Sequence, residues 1–387
     1  MKHVAVATTL IGGLAFVTPA HARAASDDGT PIGGVMLGQR GIIVGAVGAG
    51  GAGGAGAKPL PKSEASSFLV ADAETGEILA AKDPHGRHAP ASTLKILTAV
   101  TLIPRLDKNK IIKPSQDACN IEGSAVGLTP NKIYKVHDLL RALMMVSGND
   151  AAVALAEANG GLARTLTDMN AEAKRLQALD TVAKTPNGLD QPGQSSSAYD
   201  LALIARAGLA GADFREYVGT KIAKFPAPEG KHYEIANHNK LLGKYPGMIG
   251  VKNGYTTKAL GSFVGAARRD GHTIIVSVMR HEGSFWNEVQ ELLDWGFAAR
   301  GKVQPVGTLV SPVPKVKPTK PVGGPAKVTP APAKPVEAAH DSPVVGIGAL
   351  VVAVGLLGGA AWVVYGVRRR SRPGGPPART GDESLTP

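Results

Sequence analysis

The chain is predicted to be an α/β protein in which one antiparallel sheet is covered by helices. Three observations lead there. Strand patterns occupy both ends of a central block, residues 62–301, and helical patterns fill its middle. The 49 glycines and 28 prolines of the 387 residues are densest outside that block, so one core rather than two is expected.

Within the block, 68–73 and 77–81 flank Glu74-Thr75-Gly76, a hairpin signal. Pro90 precedes a helix over 92–103, and helical periodicity follows at 136–146, 150–158 and 163–178. Ser197-Ala198-Tyr199-Asp200 resembles a capping box and opens a helix to about 210. Strands return at 249–257, 261–267 and 273–279, and a last helix covers 285–299.

The flanks read differently. A basic start, an apolar run from Val4 to Val17 and Ala20-His21-Ala22 form a secretory signal ending at residue 22. Residues 23–61 read as a Gly/Ala-rich linker in which Ile42-Ile43-Val44 could pair as a stray strand. Residues 302–343 carry ten prolines, a stalk that in polyproline II could reach about 130 Å. Val344 to Val367 is 24 residues without a charge, followed by Arg368-Arg369-Arg370. As a helix it would span about 36 Å, enough for a hydrocarbon core of about 30 Å. The arginines place residues 368–387 in the cytoplasm. The expected arrangement is a single-pass protein in the cell membrane, its body outside.

The formal charge of +12 does not indicate nucleic acid. Residues 302–387 hold 11 Lys/Arg against 4 Asp/Glu, so +7 of it lies beyond the block, with few interleaved aromatics. Cys119 is the sole cysteine, which excludes an intramolecular disulfide. No cofactor is expected, because the ten histidines lack metal-site spacing and no phosphate-binding glycine loop occurs. His137, His238, His272 and His281 read as surface or loop residues.

The chemistry lies in three strings: Ser92-Thr93-Leu94-Lys95, Ser147-Gly148-Asn149 and Lys252-Asn253-Gly254. Residues three apart on a helix share a face, so Ser92 and Lys95 are neighbours. The helix is apolar almost all round, with Lys95 its only charge, and burying a lone ammonium is expensive. A depressed pKa relieves that cost and leaves a neutral amine able to act as a base. Ser92 at the helix start also sets the positive end of the dipole beside a developing oxyanion. An isolated S-x-x-K is better read as a helix-cap serine and a snorkelling lysine; the other two strings reverse that preference in favour of chemistry. Ser147 could relay a proton to a leaving amine, Asn149 could donate an amide N–H, and Gly254 would let a ligand backbone approach the strand. Lys252 would hold Lys95 neutral and attract a carboxylate.

The ordered trio resembles the D-alanyl-D-alanine carboxypeptidases, low-molecular-mass penicillin-binding proteins, over residues 65–300. Asp72-Ala73-Glu74-Thr75-Gly76-Glu77, Asn149-Asp150-Ala151-Ala152, Pro186-Asn187-Gly188-Leu189 and Trp295-Gly296-Phe297 add to the likeness. It implies a β-lactamase/transpeptidase-like fold with an inserted helical subdomain. It also implies trimming of the terminal D-alanine from peptidoglycan stem pentapeptides, and acylation by β-lactams. By that resemblance Ser92 is the nucleophile, Lys95 its base and Ser147 the third catalytic residue. Asn149, Lys252, Asn253, Gly254, Tyr255 and Thr256 bind substrate, and the N–H groups of Ser92 and Tyr255 form the oxyanion hole. The family's strand carries Lys-Thr-Gly; here Asn253 holds the threonine place, with Thr256 as a second carboxylate donor. A membrane-anchored β-lactamase is a rival reading, weakened because no acid lies in an E-x-x-x-N loop between Asn149 and Lys252. A wall-binding scaffold with weak turnover is the non-enzyme reading, motivated by Asn253 alone.

Overall fold

A computed structural model describes residues 29–46 and 58–314. The expected secretory signal, the uncharged run expected to span a membrane and most of the expected stalk lie outside the described residues. Among those described, no helix is long and apolar enough to cross a membrane.

In chain order the first strands are β1 (Ile42–Val44), β2 (Ser67–Asp72) and β3 (Glu77–Lys82). A 3-10 turn over Ala91–Leu94 leads into α1 (Lys95–Leu102). The helical region follows, with β4 (Ile111–Ile112), α2 (Gln116–Cys119), β5 (Tyr134–Lys135), α3 (Val136–Met145), α4 (Asn149–Ala158) and α5 (Leu162–Arg175). Next come α6 (Ala198–Leu209), α7 (Ala212–Gly219) and a hairpin of β6 (Ile222–Pro226) with β7 (His232–Ala236). The chain then adds β8 (Met248–Thr256), β9 (Leu260–Arg269), β10 (His272–His281), α8 (Trp286–Ala299) and β11 (Gly307–Thr308).

The main sheet is antiparallel, in the order β1-β3-β2-β10-β9-β8, with β11 also on β3. Both faces are covered. Along β2, Phe68 and Val70 enter a core with Ile274, Val276, Leu292 and Trp295, while Leu69 and Ala71 enter another with Leu97, Leu201 and Ile275. The alternation is the two-residue period of a strand, and burial on both sides explains why β2 reads as a continuous apolar run. Sequence-remote β2 and β10 are central neighbours, pairing Val70 with Val276. The Ser197 hydroxyl accepts from the Asp200 N–H at the start of α6, as the capping pattern predicts.

Two boundaries differ from the compositional reading. Part of the supposed linker folds: Leu37 is fully buried, Ile43 is buried in β1, and β1 pairs with β3. The His85 Nε2 lies 2.9 Å from the Ile32 carbonyl and its Nδ1 2.8 Å from Asp180 Oδ2, which ties this segment to the buried Asp180. The start of the supposed stalk also folds, because Val306 and Leu309 are buried and Arg206 donates to the Leu309 carbonyl. A few well-placed apolar residues decide this, and average Gly or Pro content hides them. Helix α7 and the β6–β7 hairpin were not read from the sequence, although Ile222–Pro226 alternates exposed and buried residues. His281 is a further correction: it is buried, with Nε2 3.0 Å from Glu288 Oε2, because α8 folds back over the end of β10.

Candidate active site

Ser92 lies in the 3-10 turn that opens α1, preceded by Ala91 with φ at 50°. Left-handed backbone at a residue with a side chain stores strain, and such strain concentrates at functional turns. One turn on, Lys95 is completely buried. Its Nζ is 3.0 Å from Ser92 Oγ, 2.7 Å from Asn149 Oδ1 and 2.6 Å from the Asn187 carbonyl. Two of these partners can only accept, and the third is a hydroxyl. A neutral amine would therefore spend both N–H groups on Asn149 and Asn187 and turn its lone pair to the Ser92 hydroxyl. Burial and the nearby Lys252 hold the Lys95 pKa well below the usual lysine value, against the opposing pull of Asp150.

Ser147 and Asn149 arrive from the junction of α3 and α4. Ser147 has φ at 62°, which makes the sharp turn between the two helices, and its Oγ is buried with no hydrogen-bond partner among the described residues. Asn149 donates through Nδ2 to the Glu122 carbonyl at 2.7 Å while Oδ1 receives Lys95, so the side chain bridges the loop and Lys95.

Strand β8 is the terminal strand of the sheet and closes the other side. A Cβ on Gly254 would come within 2.6 Å of the Ser92 nitrogen, so a glycine is what lets β8 lie against the turn that carries Ser92. Lys252 is 1% exposed, with Nζ 2.7 Å from the Asn253 carbonyl, and burial lowers its pKa to about 7. It is therefore no solvated strand-end lysine. Tyr255 is exposed. The Thr256 hydroxyl donates to Asp190 Oδ1 at 3.1 Å and accepts from the Ala259 N–H, so its proton is already engaged. Asn253 instead lines an open cleft of about 490 Å³ with Gly254, Tyr255, His238, Lys240 and Trp286.

Sequence reasoning missed three contributors. The Asn187 carbonyl orients Lys95, and a backbone acceptor leaves no side-chain signature. Gly188, with φ at 84°, packs so tightly that a Cβ would overlap the Ala91 carbonyl. Asp150 is fully buried and accepts from the N–H groups of Val126, Gly127, Leu128 and Ala151. For a metal, His85, Asp180 and Asp200 form a buried grouping of ligand-type atoms among the described residues; the His85 nitrogens, the Asp180 carboxylate and Asp200 Oδ2 have protein partners, and Asp200 Oδ1 is buried without one. Asp180 pairs with His85 and Arg87, and burial beside Asp180 raises the Asp200 carboxyl well above the usual range.

A Ser/Lys pair, a Ser-x-Asn junction and a glycine-bearing edge strand thus converge at one point. Residues 55–283 match the D-alanyl-D-alanine carboxypeptidase family. D-alanyl-D-alanine carboxypeptidase DacB2 of Mycobacterium tuberculosis is 40% identical over 258 residues, 65% of this chain and 88% of that protein. The chain belongs to the D-alanyl-D-alanine carboxypeptidase family.

Among other members, DacF of Bacillus subtilis is 34% identical over 56% of this chain and 57% of its own length. A crystal structure of the D-alanyl-D-alanine carboxypeptidase from Mycobacterium tuberculosis H37Rv aligns with a TM-score of 0.63 and 39% identity, covering 66% of this chain and 98% of that one. The Streptomyces K15 DD-transpeptidase aligns with a TM-score of 0.59 and 27% identity, covering 62% of this chain and 100% of that one. The carboxypeptidase-family fold therefore accounts for the sheet and its helical cover.

Proposed function

We propose that this protein is a serine D-alanyl-D-alanine carboxypeptidase that removes the terminal D-alanine of peptidoglycan stem pentapeptides and is acylated by β-lactams at Ser92. The observation that carries the reading is the Lys95 Nζ contact with Ser92 Oγ, with Asn149 and Asn187 taking its other hydrogens. Neutral Lys95 removes the Ser92 proton as Oγ attacks the carbonyl of the penultimate D-alanine. The start of α1 and the β8 backbone stabilise the oxyanion. Ser147 passes a proton to the departing amine, and water, activated through Lys95, releases the shortened peptide. Asp150 is an unsuitable base for that water, because four N–H groups already occupy its carboxylate. The uncharged run at 344–367 and the arginines after it support a membrane-anchored enzyme with its domain outside the cell. Release of D-alanine from a pentapeptide, together with penicillin labelling that disappears in Ser92→Ala, tests the reading. An enzyme still labelled after that substitution would refute the nucleophile.

The pH dependence has a definite sign. The reaction requires Lys95 neutral and Lys252 charged. Both pKa values are lowered by burial, and Lys95 feels the Lys252 charge in addition. Loss of the Lys95 proton should therefore raise kcat/KM, and loss of the Lys252 proton, at about 7, should lower it, so the profile carries a rising and a falling limb. A steady-state profile checks this, and a flat profile from about pH 5 to about pH 9 would contradict the base assignment.

Asn253 offers two amide N–H donors where relatives offer a hydroxyl and a methyl. With the Thr256 proton engaged by Asp190, Asn253 is the better-placed donor to the substrate carboxylate. Losing one hydrogen bond to a charged group costs about 1.5–3 kcal/mol, so Asn253→Ala should lower kcat/KM by about ten- to a hundredfold. Asn253→Thr should retain activity. An alanine variant equal to the parent would leave Asn253 without a role in binding.

A further inference from the structure

A second cavity, of about 430 Å³, lies where β2 and β9 end and β8 and β10 begin. Ile249 in its lining precedes Gly254 on β8 by five residues, which at about 3.3 Å per residue is about 16 Å. The cavity is therefore separate from the Ser92 cleft. Three arginines converge on it: Arg206 from α6, Arg215 from α7 and Arg268 from β9. Strand period explains the last of them. Val264 and Ala266 enter the core that contains Leu201, and Arg268, two residues on, reaches the same face where that core ends. None of the three forms an ion pair among the described residues. Arg206 donates instead to the carbonyls of Ala73, Leu309 and Glu74, at 2.7, 2.8 and 3.2 Å, and Arg215 to the Leu209 carbonyl at 2.6 Å. Carbonyls fix a guanidinium in place without cancelling its charge, and they leave both arginines N–H groups to spare. The Arg268 side chain is exposed and makes no hydrogen bond among the described residues. The acid in the lining is Glu74, whose Oε2 already accepts from the Thr273 N–H at 2.7 Å. Three positive charges against one negative leave an excess of two around a single hollow. Like charges gathered in this way repel, and a bound anion relieves the cost.

We propose that this cavity binds a phosphate monoester. Near pH 7 that group carries a charge of about −1.5 to −2, which balances the excess, and its three terminal oxygens match the forked donors of guanidinium groups. A carboxylate brings one charge and two oxygens, so it leaves the cluster short of neutral. Leu209 and Ile249, both packed against the core, give the organic part of the ester an apolar surface to lie on. Two sources share this chemistry: a soluble phosphate ester and the phosphomonoester headgroup of a lipid. Binding makes and breaks no covalent bond and uses no residue of the Ser92 cleft, so the site is independent of the carboxypeptidase reading.

Calorimetric titration of the full-length protein at low salt tests the site. Phenyl phosphate should bind about tenfold more tightly than benzoate, which keeps the ring and changes the charged group. It should bind about threefold more tightly than inorganic phosphate, which lacks the ring. Arg268→Gln removes an exposed guanidinium with no internal partner. It should weaken phenyl phosphate about tenfold while penicillin acylation of Ser92 keeps its parental rate. Lys135→Gln, which removes an exposed charge from β5, should leave binding unchanged. Should Arg268→Gln fail to fold, Arg215→Gln reads the same loss. A short-chain phosphatidic acid that binds more tightly than phenyl phosphate places the ligand among lipids; one that binds more weakly places it among soluble esters. No binding, equal affinity for benzoate, or equal losses in Arg268→Gln and Lys135→Gln would overturn the proposal. Equal losses would mean that the net charge of +12, and not the arginine cluster, attracts the anion.

Discussion

Lys95→Ala is expected to slow penicillin acylation of Ser92 by about a hundred- to ten-thousandfold while leaving the nucleophile in place. The lysine is fully buried, and its three partners converge on one nitrogen. Its removal therefore eliminates the proton acceptor and also leaves Asn149 Oδ1 and the Asn187 carbonyl without their shared donor. Lys95→Met, which fills the same space without an amine, separates the two effects. If Lys95 is the base, both variants lose acylation, and the methionine variant keeps more thermal stability. Acylation at the parental rate in Lys95→Met would show that another group takes the proton. The rate is measured with a labelled penicillin, and the melting temperature is recorded on the same samples.

The largest effect on stability is expected at Asp150. Its carboxylate receives the N–H groups of Val126, Gly127 and Leu128 from the loop above the site and that of Ala151 from its own helix. Asp150→Ala leaves the loop donors unpaired in a buried setting. Each orphaned donor costs about 1–3 kcal/mol, and after partial relaxation the sum should be about 3–5 kcal/mol. For a domain of this size that lowers the melting temperature by about 10 °C. Acylation should suffer as well. The same loop is tethered through the Glu122 and Ser124 carbonyls to Asn149, the residue that orients Lys95. The negative charge of Asp150 raises the Lys95 pKa, so in any surviving Asp150→Ala enzyme the rising limb of the pH profile should move to lower pH. A melting temperature within about 2 °C of the parent would mean that the loop holds itself up.

The two residues differ in how far the sequence announced them. Lys95 was legible because a single charge in an apolar helix, one turn from a serine, has few physical explanations. The same holds for Gly254 on its strand and for the Ser147 junction between two helical patterns. Asp150 appeared as the first residue of a helix and as part of a family-like string, with no role attached, since its loop partners are backbone N–H groups some two dozen residues away. Asn187 acts through a carbonyl that every residue possesses. Lys252 was read from the sequence as a charge beside Lys95, and only the packing of the sheet against its neighbours makes it buried. Thr256 shows the converse: its hydroxyl was a candidate for the substrate carboxylate, and its proximity to Asp190 engages it elsewhere.

By itself the sequence determined most of the elements and supplied the three strings that make up the candidate site. Hydrophobic period, capping and turn residues are local, and they specified most helices and strands along with the Ser/Lys, Ser-x-Asn and Lys-x-Gly groups. Tertiary structure decided which of those groups meet, how far each is buried and where the domain stops. Burial turns Lys95 and Lys252 into groups of lowered pKa. Pairing with β3 draws into the sheet residues 42–44, which the sequence offered as a possible stray strand within a linker, and residues 307–308, assigned by composition to the stalk. The physical reason is the same in each case: desolvation and sheet pairing depend on atoms supplied by distant parts of the chain, which no local window contains.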